Sequence, residues 1–297
     1  GRDDCKSGEA PARSRASLSR VNTTAASAPS DAPLASTRIG EGSRRVAFLH
    51  GLMGRGRNFT GPAKELGDDF TVELIDLPDH GASPWTDRVD YREIADRVAA
   101  HLRAGLAADG PVHLLGHSMG GKVAMVLALR HPDLVDRLIV EDISPRLSPQ
   151  ATDEFVHLLG TMLRMDLDAY DSRAEADAAM AEHVHDARVR GFLLQNLRRT
   201  GGHFAWQPNV AMLFEHLREI GSFPDPVVPE DPERVFDHPV LWLAGAESDY
   251  VQDEDVPRMK ELFPRVVRVT VRDAGHWLHA DQPEAFVSAV RTFLTAD

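Results

Sequence analysis

Residues 112–122 read VHLLGHSMGGK and place a serine, Ser118, between an apolar run and a helical pattern. The apolar half predicts a buried strand, and residues 122–129 predict a helix. Gly116 and Gly120 leave room for a tight turn between the two, because they carry no Cβ atom. The stretch matches G-x-S-x-G, a turn that exposes the serine hydroxyl at a helix N-terminus, where developing negative charge is favoured. We interpret Ser118 as a nucleophile; the alternative is a glycine-rich turn whose serine only caps the helix.

Short apolar runs recur along the chain and alternate with helical patterns. Near-continuous apolar strands are typical of a parallel sheet that is buried on both faces. Strands that alternate with helices therefore predict an α/β fold, with a mostly parallel sheet covered by helices on both faces. The runs lie at residues 46–49, 70–75, 112–115, 138–140, 240–243 and 266–271, and the helical patterns at 91–106, 122–129 and 283–294.

The chain divides into a tail, a core in two pieces and an insertion. Residues 1–32 are rich in Ser, Ala, Arg and Pro and have almost no bulky apolar side chains, so we expect a disordered tail. Residues 146–235 contain no clear strand and only helix-like patterns. We expect them to form a helical cap over the carboxyl ends of the strands, where open α/β sheets bind ligands. Residues 33–145 and 236–297 then form the core.

Composition bears on partners and location. The 297 residues carry a formal net charge of -13 at pH 7, which does not favour binding to nucleic acid or to an anionic membrane. The single cysteine, Cys5, cannot form an intramolecular disulfide. No apolar run is long enough to span a bilayer, and the tail lacks the apolar stretch of a secretory signal. We expect a cytoplasmic protein without nucleic-acid or membrane partners and predict no particular oligomeric state.

A histidine near the end of the chain is placed to act as a base. His276 follows the last apolar run and precedes the last helix, and a loop at that point can return to Ser118. In the order Ser, acid, His that G-x-S-x-G enzymes use, the histidine comes last. His279, three residues later, is the competing candidate.

A second glycine-rich segment predicts hydrogen-bond donors for an oxyanion. HGLMG at residues 50–54 directly follows the apolar run at 46–49. We expect the backbone N–H groups of Leu52 and Met119 to stabilise negative charge on a reacting carbonyl oxygen. The alternative is that HGLMG is only a glycine-rich strand exit.

Two aspartates compete for the role of triad acid. Asp142 follows the run at 138–140, whereas Asp249 follows the run at 240–243 and lies one residue after Ser248, where a G-x-x-D pattern would place the acid. A triad is defined by geometry and not by chain position, so both remain possible. We favour Asp142 and keep Asp249 as the alternative.

Together these motifs resemble the α/β-hydrolase superfamily, and within it small bacterial carboxylesterases and their mitochondrial relatives. The resemblance covers about residues 34–294, and in that branch the acid follows the earlier strand, which maps to Asp142. The motifs that carry it are GHSMGGK at 116–122, DISP at 142–145, SDYV at 248–251, AGHWLHA at 274–280, DLPDHGAS at 76–83 and GGHFAWQPN at 201–209.

The predicted activity is hydrolysis of carboxylic esters by a Ser-His-Asp triad through an acyl-enzyme, acting on a small-molecule ester. No metal or other cofactor is expected. Thioesterase, C–C bond hydrolase, lactonase and cofactor-free haloperoxidase activities remain open on the same fold, as does a non-catalytic ligand receptor. Apolar residues predict a substrate pocket, although a core inside the cap is the competing explanation. The pocket candidates are Met53, Phe155, Leu159 and Trp206, with Met119, Leu158, Met162 and Phe204 beside them.

Overall fold

The structure is a computed structural model that describes residues 32–297. The predicted disordered tail, including Cys5, therefore lies outside the described residues except for its last position. The strands, in chain order, are β1 (Ser36–Ile39), β2 (Arg44–Leu49), β3 (Phe70–Ile75), β4 (Val112–His117), β5 (Val135–Glu141), β6 (Leu197–Thr200), β7 (His203–Trp206), β8 (Val240–Gly245) and β9 (Val266–Val271).

Seven of these strands form the main sheet, in the order β1-β3-β2-β4-β5-β8-β9. All neighbouring pairs are parallel except β1 and β3, which are antiparallel. The sheet is therefore mostly parallel, as predicted. The sequence analysis missed β1, because three of its four side chains are exposed and it contains no apolar run.

Helices cover both faces of the sheet. Along β2, alternate side chains enter different cores: Ala47 and Leu49 pack on one face, and Val46 and Phe48 on the other. The helices are α1 (Thr60–Leu66), α2 (Tyr91–Ala104), α3 (Met119–Arg130), α4 (Pro149–Arg164), α5 (Arg173–Ala181), α6 (Ala187–Leu194), α7 (Val210–Glu215), α8 (Leu217–Gly221), α9 (Val256–Leu262), α10 (Leu278–Asp281) and α11 (Pro283–Thr295). Buried residues of α2 and α3 belong to the first core, and those of α1 and α11 to the second.

Residues 146–235, which we call the cap segment, connect β5 to β8 and contain helices α4 to α8. They also contain the antiparallel pair β6–β7, so the expectation of no strand in this segment is wrong. These strands are short and mostly not buried, which is why they show no apolar run. The Gly201-Gly202 pair between them is the hairpin signal that the sequence did offer.

Within residues 32–297, none of the helices combines the length and the apolar character that crossing a bilayer requires.

Candidate active site

Ser118 lies on a strained turn between β4 and α3. Its backbone has φ 53° and ψ −121°, a conformation that non-glycine residues rarely adopt. The turn closes so tightly that a Cβ atom at Gly116 would lie 2.1 Å from the carbonyl oxygen of Gly120. The backbone N–H of Ser118 donates to the carbonyl of Glu141, 3.1 Å away, which ties the turn to the end of β5. The serine hydroxyl is thus presented at the N-terminus of α3.

His276 is within hydrogen-bond distance of both Ser118 and Asp142. Its Nε2 lies 2.9 Å from the Ser118 Oγ, and its Nδ1 lies 2.7 Å from the Asp142 Oδ2. A carboxylate only accepts hydrogen bonds, so Nδ1 carries the proton and Nε2 is free to accept one from the serine. The three side chains are separated by up to 158 positions in the sequence and meet at the carboxyl ends of β4, β5 and β9.

Asp142 is fully buried, and its carboxylate accepts three hydrogen bonds. The donors are the Gly245 N–H, at 2.9 Å, the Ser248 hydroxyl, and His276 Nδ1–H. Three donors compensate for burial of the charge and fix the orientation of the carboxylate. Ser248 occupies the position where a G-x-x-D pattern would place an acid, and its hydroxyl donates to Asp142, the acid that follows β5.

Asp249, the alternative acid, lies on the surface. Its carbonyl oxygen accepts a hydrogen bond from the Gln252 side chain, at 2.8 Å. Among the hydrogen bonds of the described chain, none joins Asp249 to His276. The structure therefore brings Asp142, and not Asp249, to the imidazole.

Tyr250 forms one wall beside the histidine, a contact that no motif in the sequence predicts. The two rings are stacked, with centroids 3.9 Å apart and planes inclined by 18°. Burial raises the pKa of Tyr250, and the negative charges of Glu154 and Asp142 raise it further. The phenol therefore stays neutral, and its ring limits rotation of His276.

A second polar layer lies directly behind these residues. His117 Nε2–H donates to the backbone carbonyl of His276, at 2.7 Å, and burial lowers the pKa of His117 to about 3. Glu141 Oε1 accepts from His279 twice, from Nδ1–H at 2.7 Å and from the backbone N–H at 3.1 Å. His279, the competing base, is thus held by Glu141 and is not hydrogen-bonded to Ser118.

The same three residues, His117, Glu141 and His279, have metal-binding spacing, with one ligand atom from each within 4.8 Å of the others. One polar atom of each is already hydrogen-bonded, since His117 Nε2 contacts the His276 carbonyl and His279 Nδ1 contacts Glu141 Oε1. We interpret the group as a hydrogen-bonded support for the loop that carries His276. The sequence did not predict this group, because no spacing motif links its three members. Two of them directly precede Ser118 and Asp142.

The HGLMG loop lies against the serine turn. A Cβ atom at Gly51 would be 3.2 Å from the Cβ of Ser118, so only glycine allows this approach without a shift. His50 holds the loop, since its Nε2 accepts the Leu77 N–H and its Nδ1–H donates to the Gly51 carbonyl. Burial lowers the pKa of His50 to about 3, so the ring remains neutral in this role.

The two amides predicted to bind an oxyanion border the same cavity as Ser118. These are the N–H groups of Leu52 and Met119. Among the hydrogen bonds of residues 32–297, neither amide donates to a protein acceptor. Both amides therefore remain available to an oxygen atom that is bound beside the serine.

Two cavities meet at Ser118. The inner cavity is the smaller of the two and is lined mainly by apolar side chains, including residues of α4 and α8. The outer cavity is the larger and includes His276 and Trp277 in its wall. Leu52, Phe155 and Tyr250 border both.

The structure does not bring all the predicted pocket residues to these cavities. Phe155 lines both cavities. Met53 and Leu159 are fully buried in the core and line neither, so that expectation is wrong for both. Trp206 also lines neither; its Nε1–H donates to the Met162 carbonyl, at 3.2 Å, inside the cap segment. The buried apolar residues of the cap segment belong to the core that also contains buried residues of α2 and α3, so packing explains their pattern.

A family model described as "Alpha/beta hydrolase family" matches residues 46–289. The mouse (Mus musculus) protein named sn-1-specific diacylglycerol lipase ABHD11 is 36% identical over 256 residues, which are 84% of this chain and 80% of that protein. Esterase YbfF of Escherichia coli is 29% identical over 252 residues, covering 84% and 92% of the two chains. A solved structure titled "Marine microorganism esterase" superposes with a TM-score of 0.82 at 33% identity, over 88% of this chain and 99% of that one.

The chain therefore belongs to the alpha/beta hydrolase family, and the predicted fold and family are confirmed. Within the family it is an esterase- or lipase-like enzyme, as the named relatives are.

Proposed function

We propose that this protein is a serine hydrolase of carboxylic esters in which Ser118 is the nucleophile, His276 the general base and Asp142 the acid. The observation that carries the proposal is the continuous hydrogen-bonded chain from the Ser118 hydroxyl through His276 to Asp142, with separations of 2.9 and 2.7 Å. These separations lie within the range over which an imidazole can take and return a proton. The esterase and lipase names of the relatives support the same reaction class.

In the first half of the reaction, His276 Nε2 takes the Ser118 proton as Oγ forms a bond to the ester carbonyl carbon. Negative charge develops on the carbonyl oxygen and is stabilised by the N–H groups of Leu52 and Met119. The imidazolium is stabilised by Asp142, which keeps Nδ1 protonated throughout. His276 then gives its proton to the alkoxide oxygen as the ester C–O bond breaks, and the alcohol leaves.

In the second half, a water molecule takes the place of the alcohol. His276 removes a proton from this water as its oxygen attacks the acyl carbon. The bond to Ser118 Oγ breaks, the serine regains its proton from His276, and the carboxylic acid leaves. Atoms and protons balance without a cofactor.

We also propose that the protein is cytoplasmic, which its single cysteine supports.

The test compares Ser118→Ala with Ser288→Ala, an exposed serine on α11 that serves as a matched control. With p-nitrophenyl butanoate, Ser118→Ala should lose at least about 10³-fold in kcat, since no residue replaces the nucleophile. Ser288→Ala should retain the wild-type rate. Unchanged turnover in Ser118→Ala, with its thermal unfolding also unchanged, would end the proposal.

A fluorophosphonate probe tests the same proposal without relying on a substrate. Such a probe reacts with an activated serine, so wild type and Ser288→Ala should be labelled and Ser118→Ala should not. Folded wild-type protein that stays unlabelled would favour the non-catalytic receptor considered from the sequence.

A further inference from the structure

The two cavities at Ser118 differ in their relation to the histidine. The inner cavity is bordered by Ser118 and by both proposed oxyanion residues, Leu52 and Met119, but His276 is not part of its wall. The outer cavity is bordered by Ser118 and by His276. A bound ester has two ends, and this difference decides which end enters which cavity.

Proton transfer sets the orientation of the substrate. The leaving alcohol oxygen must lie within hydrogen-bond reach of His276 Nε2, because that atom protonates it. The alcohol part of the ester therefore extends into the outer cavity. The acyl part, bonded to the same carbonyl carbon, extends away from His276 and into the inner cavity.

Hydrogen bonds between the core and the cap segment hold part of the wall of the inner cavity in place. Lys122 is buried, and its Nζ donates to the carbonyls of Arg146, Gly221 and Ser222 at 2.9 to 3.0 Å. The Tyr91 hydroxyl donates to the Ile220 carbonyl at 2.6 Å. The core side chains Lys122 and Tyr91 thereby fix the end of α8, and both line the cavity. We call Lys122, Tyr91 and residues 220–222 the end wall.

The end wall lies close to the serine. Ser118 directly precedes α3 and Lys122 is the fourth residue of that helix, so the wall begins about one helical turn from the serine. A wall this near the serine restricts a long acyl chain such as octanoyl more than a short one such as butanoyl. Moving the wall would break four hydrogen bonds, three of them at Lys122 Nζ, so the wall resists displacement by a longer chain.

We propose that the preferred substrates are esters of short acyl chains, with Lys122 and Tyr91 setting the acyl limit as positioning residues and the bulkier part of the ester on the alcohol side. The inference rests on the proposed function and goes beyond it by assigning each cavity to one end of the ester. The outer cavity is larger than the inner one. Its wall includes the rings of Phe192 and Trp277, whose centroids are 5.3 Å apart, and these suit an aromatic or otherwise bulky alcohol.

The first measurement is an acyl series on the wild-type enzyme with p-nitrophenyl acetate, butanoate and octanoate. The value of kcat/KM should be at least about tenfold higher for butanoate than for octanoate, since the longer chain meets the end wall. An octanoate value equal to or above the butanoate value would overturn the proposal.

The second measurement uses a matched pair of leucines on the cap segment. Leu217 lines only the inner cavity and Leu158 only the outer one, and both are buried. Leu217→Ala enlarges the acyl cavity beside the end wall, so the octanoate-to-butanoate ratio of kcat/KM should rise about tenfold. Leu158→Ala should leave that ratio within about twofold of wild type and instead raise the ratio of 1-naphthyl butanoate to ethyl butanoate. The reverse pattern would show that the acyl chain occupies the outer cavity.

Folding of each variant is checked by thermal unfolding. If Leu217→Ala does not fold, Leu217→Phe provides the opposite test, because it shortens the cavity and should lower the butanoate-to-acetate ratio about tenfold. An unchanged ratio would overturn the proposal. Labelling by the fluorophosphonate probe separates these failures from failure of the proposed function. An enzyme labelled at Ser118 but with the wrong acyl preference contradicts only the cavity assignment. A wild-type protein that is not labelled contradicts the serine mechanism itself.

Discussion

Replacing Asp142 with asparagine removes the charge beside His276 while preserving the shape of the side chain. The carboxylate accepts from the Gly245 N–H, the Ser248 hydroxyl and His276 Nδ1–H. An asparagine amide offers one oxygen and one NH₂ group, so at least one of these donors would face another donor. The imidazole would favour the tautomer with its proton on Nε2, which cannot accept the proton of Ser118.

The expected loss follows from that change of tautomer. In a Ser-His-Asp triad the same substitution lowers kcat by about 10⁴-fold, equivalent to ~5 kcal/mol of transition-state stabilisation. Asp142→Asn should therefore lower kcat for p-nitrophenyl butanoate by about 10³- to 10⁴-fold, with KM changed much less. Ser248→Ala, which removes one of the three donors but leaves the charge, should cost only about tenfold.

Asp249→Asn is the matched control, because it makes the same chemical change at an exposed position that does not contact His276. It should retain kcat within about twofold. The assay is steady-state hydrolysis, with thermal unfolding to verify that each variant folds. If Asp142→Asn keeps more than a tenth of the wild-type kcat, or if Asp249→Asn loses as much, the assignment of the acid is refuted.

Two further predictions concern stability. Gly116→Ala should lower the free energy of unfolding, measured in urea, by more than about 3 kcal/mol, because its Cβ would lie 2.1 Å from a backbone oxygen. The control is Gly191→Ala in α6, where a Cβ would meet no neighbouring atom within 4 Å, and this change should be neutral or stabilising. Burial lowers the pKa of His117 from 6.5 to about 3, so the unfolded chain binds the proton more readily between these values and stability falls as the pH drops through that window. Urea unfolding at pH 7, 6, 5 and 4 measures how the free energy of unfolding changes with pH. In His117→Gln this slope should be smaller than in the wild type by up to ~1.4 kcal/mol per pH unit, whereas the exposed control His185→Gln should keep the wild-type slope. Equal slopes in all three proteins would contradict a buried neutral imidazole.

The sequence predicted the parts of the molecule that depend on local pattern. The runs at 70–75 and 266–271 coincide with β3 and β9 because both combine apolar and β-branched residues between turn signals. The serine turn was predictable because the steric demands of a strand–turn–helix unit are met by residues adjacent in the chain. β1 and the β6–β7 hairpin were missed because neither buries a continuous apolar row.

The candidate site was predictable only where its residues belong to motifs. Which aspartate approaches His276 depends on how β5 and β8 lie side by side, and the sequence left that choice open. The stacking of Tyr250 on His276, and the support from His117, Glu141 and His279, arise from tertiary contacts with no sequence spacing of their own. Met53 and Leu159 were assigned to a pocket because apolar character alone does not separate a cavity wall from a core.

The formation of a covalent ester on one serine is the central chemical claim, and trapping that ester tests it most directly. Wild-type protein mixed with excess p-nitrophenyl butanoate, quenched in acid within the first turnover and digested, should yield the peptide containing Ser118 with the added mass of one butanoyl group. The same treatment of Ser118→Ala should give no adduct. Rapid hydrolysis by the wild type with no acylated peptide at the earliest quench times, or with the acyl group on another residue, would contradict the mechanism.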